Sequence, residues 1–290
     1  MKRIITPGTL PTKDLHQYMI GAVAPRPIAF VSTIDEKGED NLAPYSFFNA
    51  FSSNPPIVVF SSNRRVSNNT TKDTLHNIEI NKELVVNVVN YNIVRQMSIS
   101  SAEYPSGVDE FVKSGLTKAQ ASIVKAKLVA ESPVNMECRV KDIIALGDQG
   151  GAGHLIICDV LCMHIDENVL DGDRIDPHKI DLMGRMGRTY YVRASGNAVS
   201  SIYQPVTDLP VGFDALPSYI TSNNHLTGNQ IAMMAGLNTL PSIDSFVPIT
   251  TAQMGANEAE IIETVSNFLT ENKVIEAYGL LVQYYEKNRA

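Results

Sequence analysis

Between Ile28 and about Ser195 the chain is a succession of short β-branched runs broken by turn residues, and this rhythm restricts the fold more than any other feature. Ile28 to Ile34 runs into the turn Asp35-Glu36-Lys37-Gly38, and Asn41 to Phe51 reads as the return strand of a hairpin. Ile57 to Ser61 and Leu84 to Val89 have the length and β-branching of buried strands. Residues 133 to 144 alternate, with Val134, Met136, Cys138 and Val140 against Asn135, Glu137, Arg139 and Lys141, as a half-exposed strand does. His154 to Ile165 and Thr189 to Arg193 complete the set. Few helical stretches between them could serve as parallel crossovers, so an antiparallel barrel is expected rather than a doubly wound sheet.

Past residue 200 the period changes from two to that of a helix. Ile261, Ile262, Val265, Phe268 and Leu269 fall on one face of a helix over Glu258 to Thr270, with Asn257 as its N-cap. Val274, Tyr278, Leu281 and Tyr285 mark a second helix, and Ile231 to Leu237 a shorter one after the turn Leu226 to Gln230. The expected organisation is a β domain over 1–199 and a helical extension over 200–290. The extension's few amphipathic helices are expected to bury their apolar faces on the barrel.

Composition excludes several classes of function. A formal net charge of −7 repels polyanions, and no basic patch argues for nucleic acid. Three cysteines in 290 residues, Cys138, Cys158 and Cys162, are too few and too odd for a disulfide framework and suit a reducing compartment. The polar start and the lack of a long apolar run predict neither a signal peptide nor a membrane span, so a cytoplasmic location is expected.

Gly147 to Gly153 is rich in glycine, but a strand follows it rather than a helix, so a hairpin loop is expected there and not a phosphate cradle. His154, Cys158, Cys162 and His164 are all even-numbered and would share one strand face. Cys158 and Cys162 would stand roughly 13 Å apart, beyond the span of one zinc, so the thiols are expected to pack in the core and no metal ligands are assigned. No G-x-S-x-G elbow supports a serine hydrolase.

A cofactor reading rests on three segments in order: Pro25 to Thr33, Asn41-Leu42-Ala43-Pro44-Tyr45-Ser46-Phe47-Phe48, and Lys72-Asp73-Thr74-Leu75-His76-Asn77-Ile78. With Asn54-Pro55-Pro56, Val86-Asn87-Val88-Val89, Gly153-His154 and Met183-Gly184-Arg185-Met186-Gly187-Arg188, they make residues 20 to 195 resemble the FMN-binding split-barrel, flavin reductase-like proteins of the flavoredoxin type. The fold this implies is mainly β with α, a Greek-key split β-barrel, here followed by a C-terminal helical extension. The resemblance also implies a homodimer with FMN near the subunit interface. Relatives of the plain flavin reductase type often carry a Thr where this chain has Pro44, and a Gly-Asp-His where it has Gly151-Ala152-Gly153-His154.

A flavin needs apolar walls for its ring, donors for its polar edge and cationic or hydroxyl groups for its phosphate. Ala43, Pro44, Tyr45 and Ser46 are candidates to line the ring, with Arg26 and Asn49 at its rim. Ser61, Ser62 and Arg64 leave a strand, and Lys72, Asp73 and Thr74 open a helix whose free N–H groups favour an anion. His154 is the candidate beside a nicotinamide. The implied activity is transfer of hydride from NADH or NADPH through FMN to a flavin, metal or protein acceptor. A non-enzymatic FMN carrier or storage module is the alternative, and a partner-binding role for the extension is a third reading.

Overall fold

Seven strands build one antiparallel sheet: β1 (Ala29–Ile34), β2 (Asp40–Tyr45), β3 (Phe48–Ser53), β4 (Pro56–Asn63), β5 (Glu83–Val88), β6 (Val134–Ala145) and β7 (Gly153–Ile165). Their order is β2-β1-β5-β6-β7-β4-β3. The edge strands are therefore β2 and β3, which are consecutive in the chain and separated only by Ser46 and Phe47. In a flat sheet these edges would lie about 29 Å apart. Three Cα steps span at most about 11 Å, so the sheet must curl until its edges meet. The result is a Greek-key split barrel with helices outside it. The computed structural model describes residues 1–202, 204–247 and 257–289, and the chain divides into two compact units, Met1–Ser200 and Ser201–Ala290.

Local chemistry explains the strand boundaries. At the β1–β2 turn the Asp35 carboxylate accepts the Lys37 and Glu39 N–H groups, each at 2.8 Å, and Gly38 supplies a left-handed φ of 87°. The expectation of one return strand from Asn41 to Phe51 is corrected. β2 pairs with β1 only to Tyr45, and after Ser46-Phe47 the chain pairs with β4 at the opposite edge. The last expected strand is also shorter, Tyr191–Arg193, and forms a ribbon with Met183–Arg185. The glycine-rich loop joins β6 to β7 as a hairpin, with the Leu146 N–H donating to the Gly153 carbonyl at 2.9 Å.

One face of each strand fills the barrel. Val31, Phe60, Val86, Met136, Cys138, Ile156 and Cys158 pack there with Leu75 and Ile78 of helix α2 (Asp73–Asn81). Burial pushes the Cys138 thiol up to about 12 and the Cys158 thiol higher still, so both stay protonated. Outside, Phe30 and Leu42 pack beneath helices α3 (Val94–Ile99) and α4 (Glu110–Ser114) through Met97 and Phe111.

The expectation that His154, Cys158, Cys162 and His164 share a face is corrected by a β-bulge. Glu137 pairs with Cys162, but Cys138 pairs with Val160, so Leu161 is the extra residue and the parity of β7 reverses there. Cys158 packs in the barrel core. Cys162 and His164 instead lie beside Glu137, whose carboxylate accepts the N–H groups of Ser122, Ile123 and Val124 outside the sheet. Burial alone would raise the Glu137 carboxyl, but His164 and the three amides outweigh it and hold it at about 2.

In the second unit, α5 (Ser218–Thr221), α6 (Gly228–Ala235), α7 (Glu258–Thr270) and α8 (Val274–Arg289) share a core that includes Ile220, Met234, Val265 and Leu281. Capping boxes start α6, from Thr227 and Gln230, and α7, from Asn257 and Glu260. Gly279 admits the Phe246 ring against α8 where a Cβ would collide. Among the described residues no helix is long and apolar enough to cross a membrane.

The barrel also holds a buried amide pair. Asn87 donates to the Phe30 carbonyl at 2.8 Å and accepts from the Val129 N–H at 3.0 Å and from Asn135 Nδ2 at 2.7 Å. Replacing Asn87 with Leu strips partners from three fully or largely buried groups, each costing about 1–3 kcal/mol when orphaned. Asn87→Leu should lower the unfolding free energy by at least about 2 kcal/mol in a urea titration. A loss within the roughly 0.5 kcal/mol of ordinary surface changes would show the pair to be dispensable.

Candidate functional site

Four adjoining cavities follow the short link between β2 and β3. The smallest, ≈ 80 Å³, lies between Ala43, Pro44, Arg65, Lys72, Thr74 and the segment Ser100 to Tyr104. Pro44 and Lys72 also wall the next, of ≈ 210 Å³, together with Tyr45, Ser46, Phe47, Ser61 and Arg185. Through Arg26, Ser46 and Phe47 this adjoins a third cavity of ≈ 350 Å³, and through Phe47, Phe48 and Asn49 a fourth of ≈ 400 Å³ lined by Phe51, Leu146 and Leu155. Polar and cationic groups thus gather at one end and apolar and aromatic ones at the other.

Lys72 defines the polar end. It is the extended N-cap residue of α2, so its chain leaves the helix at the end where free backbone N–H groups gather. Its ammonium sits 4.8 Å from the centroid of the Tyr45 ring and makes no hydrogen bond or ion pair with any described residue. Burial and the neighbouring Arg65 lower its pKa from the usual lysine value, only partly countered by Glu103. Arg65 is itself oriented, donating from Nη1 to the Thr71 carbonyl at 2.6 Å, with Nε 3.4 Å from Glu103 Oε1. Lys72 and Arg65 share this cavity with the carboxylates of Asp73, Glu103 and Glu110; Glu103 is paired with Arg65 and Glu110 accepts the Leu42 N–H, so the Lys72 ammonium is the group an anion would complete.

Beneath Lys72, burial pushes the Tyr45 phenol up to about 12, against a smaller opposing influence from the Thr74 and Ser62 hydroxyls. Tyr45 Oη and Ser62 Oγ are both buried without a well-formed hydrogen bond. Thr74 Oγ1 accepts from Asn41 Nδ2 at 2.9 Å, so it braces β2 against α2 and does not cap the helix.

Arg26 is buried and holds the frame. Its guanidinium donates to the carbonyls of Ile20, Val23 and Met186 and, at 3.4 Å, to Ser46 Oγ, while lying 5.7 Å from the Phe47 ring centroid. It thereby ties helix α1 (Thr12–Ala22) and the Met183–Arg185 ribbon to the β2–β3 link. Burial and the nearby Arg185 lower its pKa. Gly153 matters for space: a Cβ there would lie 2.5 Å from Ser61 Oγ, which donates to Asn63 Oδ1 at 2.9 Å.

Most of the residues singled out in the sequence meet here. Arg26, Ala43, Pro44, Tyr45, Ser46, Asn49, Ser61, Lys72, Asp73 and Thr74 all line the cavities. Ser62 faces inward beside Tyr45, and Arg64 clamps its own loop, donating to Asn69 Oδ1 at 2.7 Å and to the Asn69 carbonyl. His154, the candidate beside a nicotinamide, follows the cavity-lining Gly153 on β7. It is buried, its Nδ1 lies 3.2 Å from the Ser62 carbonyl, and it lines none of the four cavities. Sequence reasoning missed His16, Phe47, Asn63, Arg65 and Arg185. Arg185 lay within a quoted motif, and Arg65 was one residue from the arginine chosen; His16 gave no signal.

Comparison with known proteins agrees with this arrangement. Residues 21–181 match the flavin reductase like domain. A protein of Aquifex aeolicus is 37% identical over 183 residues, covering 63% of this chain and 91% of its own. Nitrilotriacetate monooxygenase component B from Bacillus cereus superposes with a TM-score of 0.65 and 27% identity, over 70% of this chain and 98% of that one. Flavoredoxin of Desulfovibrio vulgaris shares the fold at a TM-score of 0.54 and 20% identity, over 71% and 98% of the two chains. A curled sheet whose edges meet at a cation-flanked groove, matched across more than half of the sequence, places this chain in the flavin reductase-like family.

Proposed function

We propose that the chain is an FMN-dependent oxidoreductase that uses NADH or NADPH and serves a flavin, metal or protein acceptor. The observation that carries the reading is the half-buried, unpaired Lys72 ammonium beside Arg65, at one end of a groove whose other end is apolar. FMN has the matching polarity, a dianionic phosphate tail on a flat, largely apolar ring. When bound, it would supply hydride acceptance and onward electron transfer, and the protein's part is placement.

The residues divide that work. Lys72, Arg65 and the first N–H groups of α2 would hold the phosphate. Pro44, Tyr45 and Ser46 offer backbone and hydroxyl groups to the ring edge, Phe47 gives an apolar wall, and the Arg26 clamp fixes the link that carries them. No side chain is assigned as nucleophile or acid, because hydride chemistry on a flavin needs none from the protein, and His154 is the residue proposed to lie near the nicotinamide.

A homodimer follows from the same reading. Edge strand β3 is exposed from Asn49 to Ser53, with Phe51 69% exposed beside the two larger cavities, and a second copy would cover this apolar edge. The three free cysteines support a reducing, cytoplasmic setting.

Three measurements test this function. The purified protein should show visible flavin absorption, bleached anaerobically by NADH or NADPH; flavin that binds but resists both nucleotides would identify a carrier instead. Lys72→Ala should weaken FMN binding roughly ten- to a hundredfold in a fluorescence titration while leaving riboflavin binding unchanged, and equal FMN affinity in parent and mutant would remove Lys72 from the site. Light scattering should report a particle of twice the 31.7 kDa chain, and a lone chain at all concentrations would exclude the dimer.

A further inference from the structure

We propose that Glu137, Cys162 and His164 form a binding site for one zinc ion on the outer face of the β6–β7 ladder. The three belong to adjacent strands: Glu137 stands directly opposite Cys162, and His164 follows two residues later on the same side. Their placement depends on the bulge at Leu161, which turns Cys162 and His164 away from the face of Cys158.

The ligand atoms converge. One oxygen of Glu137, the sulfur of Cys162 and a ring nitrogen of His164 all lie within 4.8 Å of one another. His164 Nε2 is 3.9 Å from Cys162 Sγ and 2.6 Å from Glu137 Oε1. The same ring nitrogen faces both partners. A histidine relaying a proton between a thiol and a carboxylate would present a different nitrogen to each, so the geometry is that of a common coordination point and not of a nucleophile relay.

Bond lengths of about 2.0–2.1 Å to nitrogen and oxygen and about 2.3 Å to sulfur set tetrahedral ligand separations of roughly 3.3–3.6 Å. The sulfur–nitrogen pair is already near that value. The nitrogen–oxygen pair must open by less than about 1 Å as the ion takes the place of the hydrogen they share.

The donor set and its surroundings select the ion. One thiolate, one imidazole and one carboxylate suit a borderline cation and disfavour calcium or magnesium, which prefer oxygen alone. Glu137 is fully buried and held by backbone amides, Ser122 N–H on Oε1 at 2.7 Å and Ile123 and Val124 N–H on Oε2 at 2.6 and 2.8 Å. These donors orient the carboxylate without using the lone pair turned toward His164. Cys162 and His164 are half-exposed, so the ion can enter from solvent and keep a water as fourth ligand. Coordination needs the Cys162 thiolate and a free lone pair on His164 Nε2, so uptake releases the thiol proton to solvent and shifts the Nε2 hydrogen to Nδ1 or, from the imidazolium, to solvent as well.

The site is separate from the flavin groove. Cys162 lies nine residues along β7 from Gly153, about 30 Å of strand. Through Glu137 a bound ion would fasten the far end of β7 to the segment Ser122–Val124, so its expected effect is on stability.

The test uses the full chain, stripped with a chelator and dialysed, then titrated with zinc against a chromophoric competitor. The expected result is one zinc per chain, a higher melting temperature on zinc addition, and at least about tenfold weaker binding in both Cys162→Ser and His164→Gln. X-ray absorption on the zinc-loaded parent, which needs no variant to fold, should find one sulfur in the coordination shell. Failure of the parent to bind zinc at tens of micromolar, a shell without sulfur, or parent-like affinity in the double variant would each overturn the site.

Discussion

Ser46 and Phe47 are all that separates two strands standing at opposite edges of a seven-stranded sheet, and everything else in the first unit accommodates that short link. The link closes the sheet, so one face of every strand must find a common interior; Val31, Phe60, Val86 and Ile156 supply it. The same link leaves the ladder at the seam, where the Phe47 carbonyl accepts the Ser61 N–H at 2.8 Å and Ser46 lies outside the strands. The groove along the link is thus a by-product of closure. Arg26 stiffens the place where the barrel is least tied by strand pairing, by gathering carbonyls from α1 and from the Met183–Arg185 ribbon.

Charge follows the same division. The cations face the groove where α2 begins, because Lys72 must leave an extended N-cap and Arg65 is turned by its loop. The acid with the strongest local support, Glu137, sits on the far half of the ladder, held by hydrogen bonds from backbone amides and beside His164. In the second unit the helices pack on one another around Ile220, Met234 and Leu281.

What could be read from the sequence was what local physics decides. The alternation of residues 134 to 140 gave a strand with Met136 and Cys138 inside, and Asn257 gave the start of α7. The cavity-lining segment Ala43 to Ser46 and Lys72 could be picked out because residue type and order carry the information. What could not be read depends on register. The bulge at Leu161 reverses the parity of β7, so counting even positions placed Cys162 and His164 with Cys158. Arg64 and Arg65 are indistinguishable in sequence, and the loop alone decides which turns back to Asn69 and which faces Lys72. The break after Tyr45 was hidden because Ser46-Phe47 carries no glycine or proline to signal it.

The contact between Gly153 and Ser61 has a consequence for how this protein can change over generations. The Ser61 hydroxyl occupies the space that a methyl group at 153 would need, across the β4–β7 pair. A side chain can therefore be acquired at 153 only by a lineage that has already given up the hydroxyl at 61, or that moves it out of line with Asn63. A substitution that removes or turns the Ser61 hydroxyl therefore widens what position 153 can accept.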